Sequence, residues 1–145
     1  MFIGHHTSTL DAKNRLAIPV HYQWLLDKGV YITQGFDRNL LLLPSDAFNE
    51  ILHRVKQMNM ADPTARLLFR MLLGSAAKLD IDKNGGVQLP NELLDFAGID
   101  KSALLIGQGD FLELWAPKLW KEQEISLNNV EANANRFATL TICTG

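Results

Sequence analysis

The same short pattern occurs twice in this chain, and whatever it folds into has to seat both copies. Asp11-Ala12-Lys13-Asn14-Arg15-Leu16-Ala17-Ile18-Pro19 sets above Asp82-Lys83-Asn84-Gly85-Gly86-Val87-Gln88-Leu89-Pro90, matching aspartate, turn, alternating apolar residues and proline at an offset of 82 − 11 = 71. A second block agrees: Tyr31-Ile32-Thr33 through Asp37 to Leu40-Leu41-Leu42-Leu43-Pro44 matches Leu104-Leu105-Ile106 through Asp110 to Pro117 at 104 − 31 = 73. The difference of two fits the extra length of Gly98-Ile99-Asp100-Lys101-Ser102. A unit of about 45 residues is small to bury an apolar face alone, so the two units are expected to share one core.

Each unit reads as strand, tight turn, strand, short helix, strand, loop, strand. Leu79-Asp80-Ile81 and Val87-Gln88-Leu89 alternate apolar with polar, and Asn84-Gly85-Gly86 between them tolerates the positive φ of a hairpin turn. Lys13-Asn14 serves the same purpose in the first unit. Pro19 and Pro90 end their strands by removing a ladder donor, and Asn91 to Ala97 then reads as a short helix closed by Gly98. Its counterpart in the first unit is Val20 to Leu26.

Between the units, Ser45 is expected to cap a helix over roughly Asp46 to Met58, with Phe48, Ile51, Leu52 and Val55 in one stripe. Asp62-Pro63 reads as the cap and first position of a second helix running to about Leu73, with Leu67, Leu68, Met71 and Leu72 apolar and Arg66 and Arg70 spaced i, i+4. That apolar load fits packing against another subunit or burial within one protomer, and both stay open. The tail from Asn128 is polar and then runs Phe137-Ala138-Thr139-Leu140-Thr141-Ile142, which reads as a strand on another element or a frayed end. The division expected is therefore 5–47, first unit; 48–76, helical connection; 77–124, second unit; 125–145, tail. The class is α+β.

Composition narrows the function classes. With 47% hydrophobic and 21% charged residues the chain is neither disordered nor fibrous. No apolar run approaches the roughly 18 residues that span a bilayer, and Met1-Phe2-Ile3-Gly4-His5-His6 lacks a basic segment followed by an apolar one, so the expectation is a soluble, unexported protein without membrane contact. The single cysteine, Cys143, has no internal partner and suits a reducing cytoplasm. A net charge of −2 and a pI near 6.0 argue against a monomeric nucleic-acid binder with one basic face. The charge is uneven, however: residues 1–75 carry 8 − 6 = +2, the remainder 6 − 10 = −4, and five of the six arginines lie in the first half. One half is thus suited to meeting an anion.

The sharpest local chemistry lies in Asp11-Ala12-Lys13-Asn14-Arg15. A carboxylate entering the turn can accept hydrogen bonds from turn amides while Lys13, Asn14 and Arg15 face water. Arginine there can donate bidentately to a phosphate or to guanine in a major groove, and lysine adds a mobile point charge. Taken alone, the motif also fits an ordinary solvated turn with a weak ion pair. Other constellations carry less. Ser8, His5 and Asp11 lie too close along one strand and turn to form a hydrolase triad, so no enzyme is expected. His5-His6 is adjacent, which in a strand sends the rings to opposite faces rather than to a shared metal. Gly107-Gln108-Gly109 is a fragment of a dinucleotide fingerprint with no helix opening behind it. Trp24, Trp115, Trp120, Tyr22 and Tyr31 read as core or interface anchors.

The duplicated turn followed by apolar-x-apolar-Pro, Gly35-Phe36-Asp37 and Gly109-Asp110 ahead of apolar strands, the Asp62-Pro63 helix and Leu73-Gly74-Ser75-Ala76-Ala77 together resemble the MraZ family over about residues 1–124. The resemblance implies two tandem AbrB-like swapped-hairpin β units forming an intramolecular pseudo-dimer with connecting helices, and several chains closing into a ring. It implies DNA binding at short repeats upstream of the operon for cell division and cell-wall synthesis, with transcriptional control as the outcome. The family pattern places arginine in both turns; here Gly86 stands where the first turn has Arg15. Arg15, Lys13 and Asn14 therefore carry over as DNA-binding residues, Lys83 and Asn84 as backbone contacts at most, and Asp11 and Asp82 as turn-forming residues. A ring would let modest contacts multiply along one duplex despite the acidic total. The partners implied are double-stranded DNA at promoter repeats and further copies of the chain, in the cytoplasm and on the nucleoid, with no cofactor, no metal and no small-molecule substrate. The competing reading is an AbrB-like interaction module of antidote type, whose main ligand is a protein.

Overall fold

The computed structural model describes residues 1–140. In chain order the first unit contributes β1 (His5–Thr9), β2 (Arg15–Ala17), α1 (Val20–Gln23, prolonged by a 3-10 turn over Trp24–Leu26), β3 (Val30–Gln34) and β4 (Leu40–Pro44). Helices α2 (Ser45–Lys56) and α3 (Pro63–Leu72) follow, then β5 (Ala77–Leu79), β6 (Gly86–Gln88), α4 (Asn91–Ala97), β7 (Ser102–Gly107) and β8 (Leu112–Trp115). Two further helices, α5 (Pro117–Leu127) and α6 (Val130–Phe137), complete the described chain.

The two units exchange strands. A six-stranded sheet has the order β1-β7-β8-β4-β3-β5, and β2 pairs with β6 in a separate two-stranded ribbon, every pairing being antiparallel. Apart from the local hairpins β3–β4 and β7–β8, each pairing joins one unit to the other. The register obeys the sequence repeat: Arg15 faces Gln88 and Ala17 faces Gly86, and since 15 + 71 = 86 and 17 + 71 = 88, each pair is the image of the other. A pseudo-two-fold axis thus passes through the ribbon between Leu16 and Val87.

That symmetry explains the single core. Leu16 and Val87 are 0% exposed, and Ile18 with Leu89, Tyr22 with Leu93 and Leu26 with Ala97 are buried as equivalent pairs in one cluster. The run Leu40 to Leu43 is buried throughout because β4 is central: Leu40 and Leu42 enter the shared core, whereas Leu41 and Leu43 turn to the other face beneath α2. There Phe48 stacks on Tyr31 at 4.2 Å between centroids. At the far end of the sheet Trp115 and Trp120 pack edge to face at 5.5 Å.

Two expectations from sequence need correction. Ser45 is the first residue of α2 rather than its cap; Pro44 occupies the cap position, and the Ser45 hydroxyl donates instead to the Lys28 carbonyl at 3.1 Å. The tail is neither strand nor frayed through residue 137, since Asn129 caps α6 by accepting from the Ala132 amide at 3.0 Å. Thr141, Ile142 and Cys143 lie outside the described residues. Of the aromatic residues read as core or interface anchors, Tyr22, Trp115 and Trp120 are buried, and Trp24, 66% exposed, is outside the core of the single chain. Other boundaries agree with the caps read from sequence: Asp62 accepts from the Thr64 amide at 2.9 Å ahead of Pro63, and Gly98 closes α4 at φ 67°.

A candidate nucleic-acid interface at the β2–β6 ribbon

The two turns that feed β2 and β6 share one backbone design. In the first, Asp11 Oδ1 accepts from the amides of Lys13 at 2.8 Å and Arg15 at 2.9 Å; in the second, Asp82 Oδ1 accepts from those of Asn84 and Gly86, both at 2.9 Å. The Asn14 amide donates to the Asp11 carbonyl, and the Gly85 amide to that of Asp82, at 3.0 and 3.1 Å. Asn14 and Gly85 both take left-handed backbone, at φ 60° and 78°, which asparagine and glycine tolerate best. Aspartate and a residue at ease with positive φ therefore shape each turn, and the residue closing it is free to vary.

What varies is the charge presented. Arg15 Nε donates to Asp11 Oδ2 at 3.0 Å, with the two side chains 40% and 49% exposed. An ion pair so open to solvent adds little stability. Its effect is geometric: the pair holds the guanidinium by Nε, and the two terminal nitrogens make no hydrogen bond among the described residues, so they form an oriented fork facing solvent. The Arg15 amide does most to hold the Asp11 carboxyl below its ordinary value; loss of hydration opposes it, and the Lys13 amide and then the Arg15 side chain add to the lowering. Gly86 supplies no such fork. A Cβ at Gly86 would stand 3.1 Å from Asp82 Oδ2, so only a slight shift of that carboxylate is needed to admit a side chain.

Antiparallel pairing puts the two turns at opposite ends of the ribbon, bordering one shallow cleft of about 250 Å³ lined by Asp11, Arg15, Asp82, Asn84 and Gly86 among others. Lys13, Asn14 and Arg15 are thereby gathered at one end, Lys83 and Asn84 at the other. Lys83 occupies the position of Ala12, and Asn84 that of Lys13. The first turn is also composite. Gln88 Nε2 donates to the Lys13 carbonyl at 3.2 Å, and the Asn14 side-chain amide donates to that of Asn91. Both partners belong to the second unit. Gln88 reads in the sequence as one polar position of an alternating strand, and only the exchange of strands sets it beside Arg15.

The remaining sequence candidates fall elsewhere. His6 lies on β1 with its Nε2 3.1 Å from the Tyr22 hydroxyl, which donates to the Ile3 carbonyl. His5 points the other way, toward Trp120 at 6.0 Å between rings. Ser8 is buried, and no hydrogen bond joins it to His5 or Asp11 among the described residues. Gly107 and Gly109 close against the N-terminal segment: the Gly107 amide donates to the Gly4 carbonyl and Gly109 pairs with Phe2, each at 2.8 Å. Among the described residues no helix is long and apolar enough to cross a membrane, and no group of three or more His, Cys, Asp or Glu could hold a metal ion.

The family model described as "MraZ protein, putative antitoxin-like" matches this chain twice, at residues 1–71 and 72–140, one match per unit. Curated relatives are similar over nearly the whole length. The transcriptional regulator MraZ of Roseiflexus sp. (strain RS-1) is 36% identical over 138 residues, covering 95% of this chain and 94% of its own. That of Saccharophagus degradans (strain 2-40) is 38% identical over 147 residues, covering 98% and 100%, and that of Thermomicrobium roseum is 34% identical over 141, covering 97% and 99%. With both halves matched and the exchange of strands in place, the chain belongs to the MraZ family.

Proposed function

We propose that this chain is a DNA-binding transcriptional regulator of the cytoplasm and nucleoid, acting as a ring of several copies on short repeats upstream of the division and cell-wall operon. The relatives' name supports the regulatory role. The observation that carries the DNA contact is the Arg15 fork, held by Asp11 and flanked by Lys13 and Asn14 on an exposed ribbon. A two-stranded ribbon fits a major groove, and a bidentate arginine suits guanine or phosphate there. The first unit, 5–47, makes this contact; the second, 77–124, completes the scaffold and brings Lys83 and Asn84 to the DNA backbone. Residues 48–76 connect them, and 125–145 form a tail.

Assembly is supported by apolar side chains left in solvent on and between α2 and α3, where Met58, Met60 and Leu67 are 41%, 62% and 64% exposed. Several identical faces on one duplex raise the effective concentration of each contact, so a chain of net charge −2 can still bind. The test is fluorescence anisotropy with the DNA just upstream of the chain's own coding region, beside a scrambled duplex at several salt concentrations, with particle mass measured in parallel. Saturable binding that prefers the native fragment, weakens with salt and belongs to a multi-chain particle supports the proposal. A stable monomer removes the ring, equal weak binding to both duplexes reduces the contact to nonspecific electrostatics, and no binding at low salt favours a protein ligand.

A further inference from the structure

The outward face of the ribbon has two cross-strand pairs of unlike character. Leu16 and Val87 point inward and are fully buried, so Arg15, Ala17, Gly86 and Gln88 share the other face. Ala17 is exposed and short, and Gly86 is covered by the Asp82 carboxylate, so neither puts a long side chain on that end. At the other end Arg15 stands directly opposite Gln88, which is exposed. The Gln88 amide is held by one N–H, donated to the Lys13 carbonyl at 3.2 Å, which fastens it to the turn that carries Arg15. Its second N–H and its Oε1 make no hydrogen bond among the described residues.

A carboxamide presenting one N–H and one carbonyl side by side matches the major-groove edge of adenine, which offers an acceptor at N7 and a donor at N6. Directly opposed residues of an antiparallel pair stand roughly 5 Å apart at Cβ, a separation that long side chains close onto base pairs stacked about 3.4 Å apart. We propose that Gln88 is a specificity-determining residue that reads adenine in the base pair next to the one contacted by Arg15. One protomer then selects a guanine and an adjacent adenine with side chains from its two different units. The inference rests on the DNA-binding reading above and adds to it a base preference that the first unit alone does not contain.

The experiment selects duplexes from a random-sequence library with the wild-type chain, then measures anisotropy on the selected duplex and its single-base-pair substitutions for wild type, Arg15→Ala, Gln88→Ala and Gln88→Glu. Gln88 is exposed, so neither of its substitutions empties the core. The expected result is that Gln88→Ala loses about tenfold discrimination at one A·T pair, beside the position where Arg15→Ala loses its own, while its salt dependence stays unchanged. Gln88→Glu is expected to shift preference at that pair toward cytosine, whose amino group a carboxylate accepts. Uniform weakening on every duplex would mean that Gln88 only braces the turn through Lys13, and an unaltered profile would mean that it does nothing there. Either result overturns the inference while DNA binding stands. A wild-type chain that selects no sequence, and that Arg15→Ala leaves unchanged, overturns both together.

Discussion

The turn at Asp11 and the turn at Asp82 have the same backbone and different chemistry. Each aspartate accepts two turn amides through Oδ1, and each turn passes through one left-handed residue, yet one ends in Arg15 and the other in Gly86. The comparison separates what builds the loop from what the loop presents. Carboxylate and positive φ suffice for the shape, so the arginine is an addition to the turn that one copy carries and the other lacks.

The broadest way to break the comparison is through the core beneath both turns. Leu16 and Val87 are equivalent and fully buried, so Leu16→Ala is expected to cost about 2–5 kcal/mol and Val87→Ala somewhat less. Calorimetry should record one cooperative transition lowered by either change. Two separable transitions would mean that the units fold independently despite their exchanged strands.

Next in size is Arg15→Ala, expected to lose on the order of 1–3 kcal/mol of specific DNA affinity per base contact while melting temperature and particle mass stay as in the parent. Unchanged affinity would remove the assigned role from the fork.

A subtler contrast compares the aspartates. Asp11→Ala and Asp82→Ala should each speed amide exchange of the two donors they hold, and Asp11→Ala should weaken DNA binding by less than Arg15→Ala does but by more than Asp82→Ala, whose turn carries only Lys83 and Asn84. Acidification tests the same contact. The amides and the Arg15 charge favour the ionised Asp11, so its carboxyl titrates below the ordinary value of 3.8. Its hold on the turn is complete above that value and is lost as pH falls through the lowered one. Protection of the Lys13 and Arg15 amides, their exchange relative to that of an unstructured amide at the same pH, should fall in that acidic window when followed by NMR.

The smallest effect sharpens the comparison instead of breaking it. Gly86→Arg is expected to fold, because the turn already has its shape and a slight shift of the Asp82 carboxylate, 3.1 Å from the new Cβ, admits the side chain. Its affinity should rise, by less than Arg15→Ala loses, if the second turn also faces DNA. An unchanged affinity with intact assembly would leave the second turn without DNA contact.

Much of this molecule is local and was therefore legible in one dimension. The repeat, the Asp-led turns, the Asp62-Pro63 helix start and the Gly98 stop each depend on a few neighbouring residues whose φ preferences and hydrogen-bonding groups act over one turn of chain. The same locality misled at Ser45, whose hydroxyl has a nearer acceptor in Lys28, brought to it by the fold from a distant part of the first unit. In the tail the Asn129 cap that starts α6 is the local signal that the reading passed over. The repeat and the family resemblance already implied exchanged hairpins around one core, and what the tertiary structure alone decided is the register at which the strands meet and the side chains this brings together. Exchange of β1, β2, β5 and β6 between the units gives the short ribbon its partner, seats Gln88 and Asn91 of one unit against the Arg15 turn of the other, and buries equivalent residues of both in one core. Pairing across 71 residues follows from the apolar surface that neither half could bury alone, and no local pattern encodes that sum.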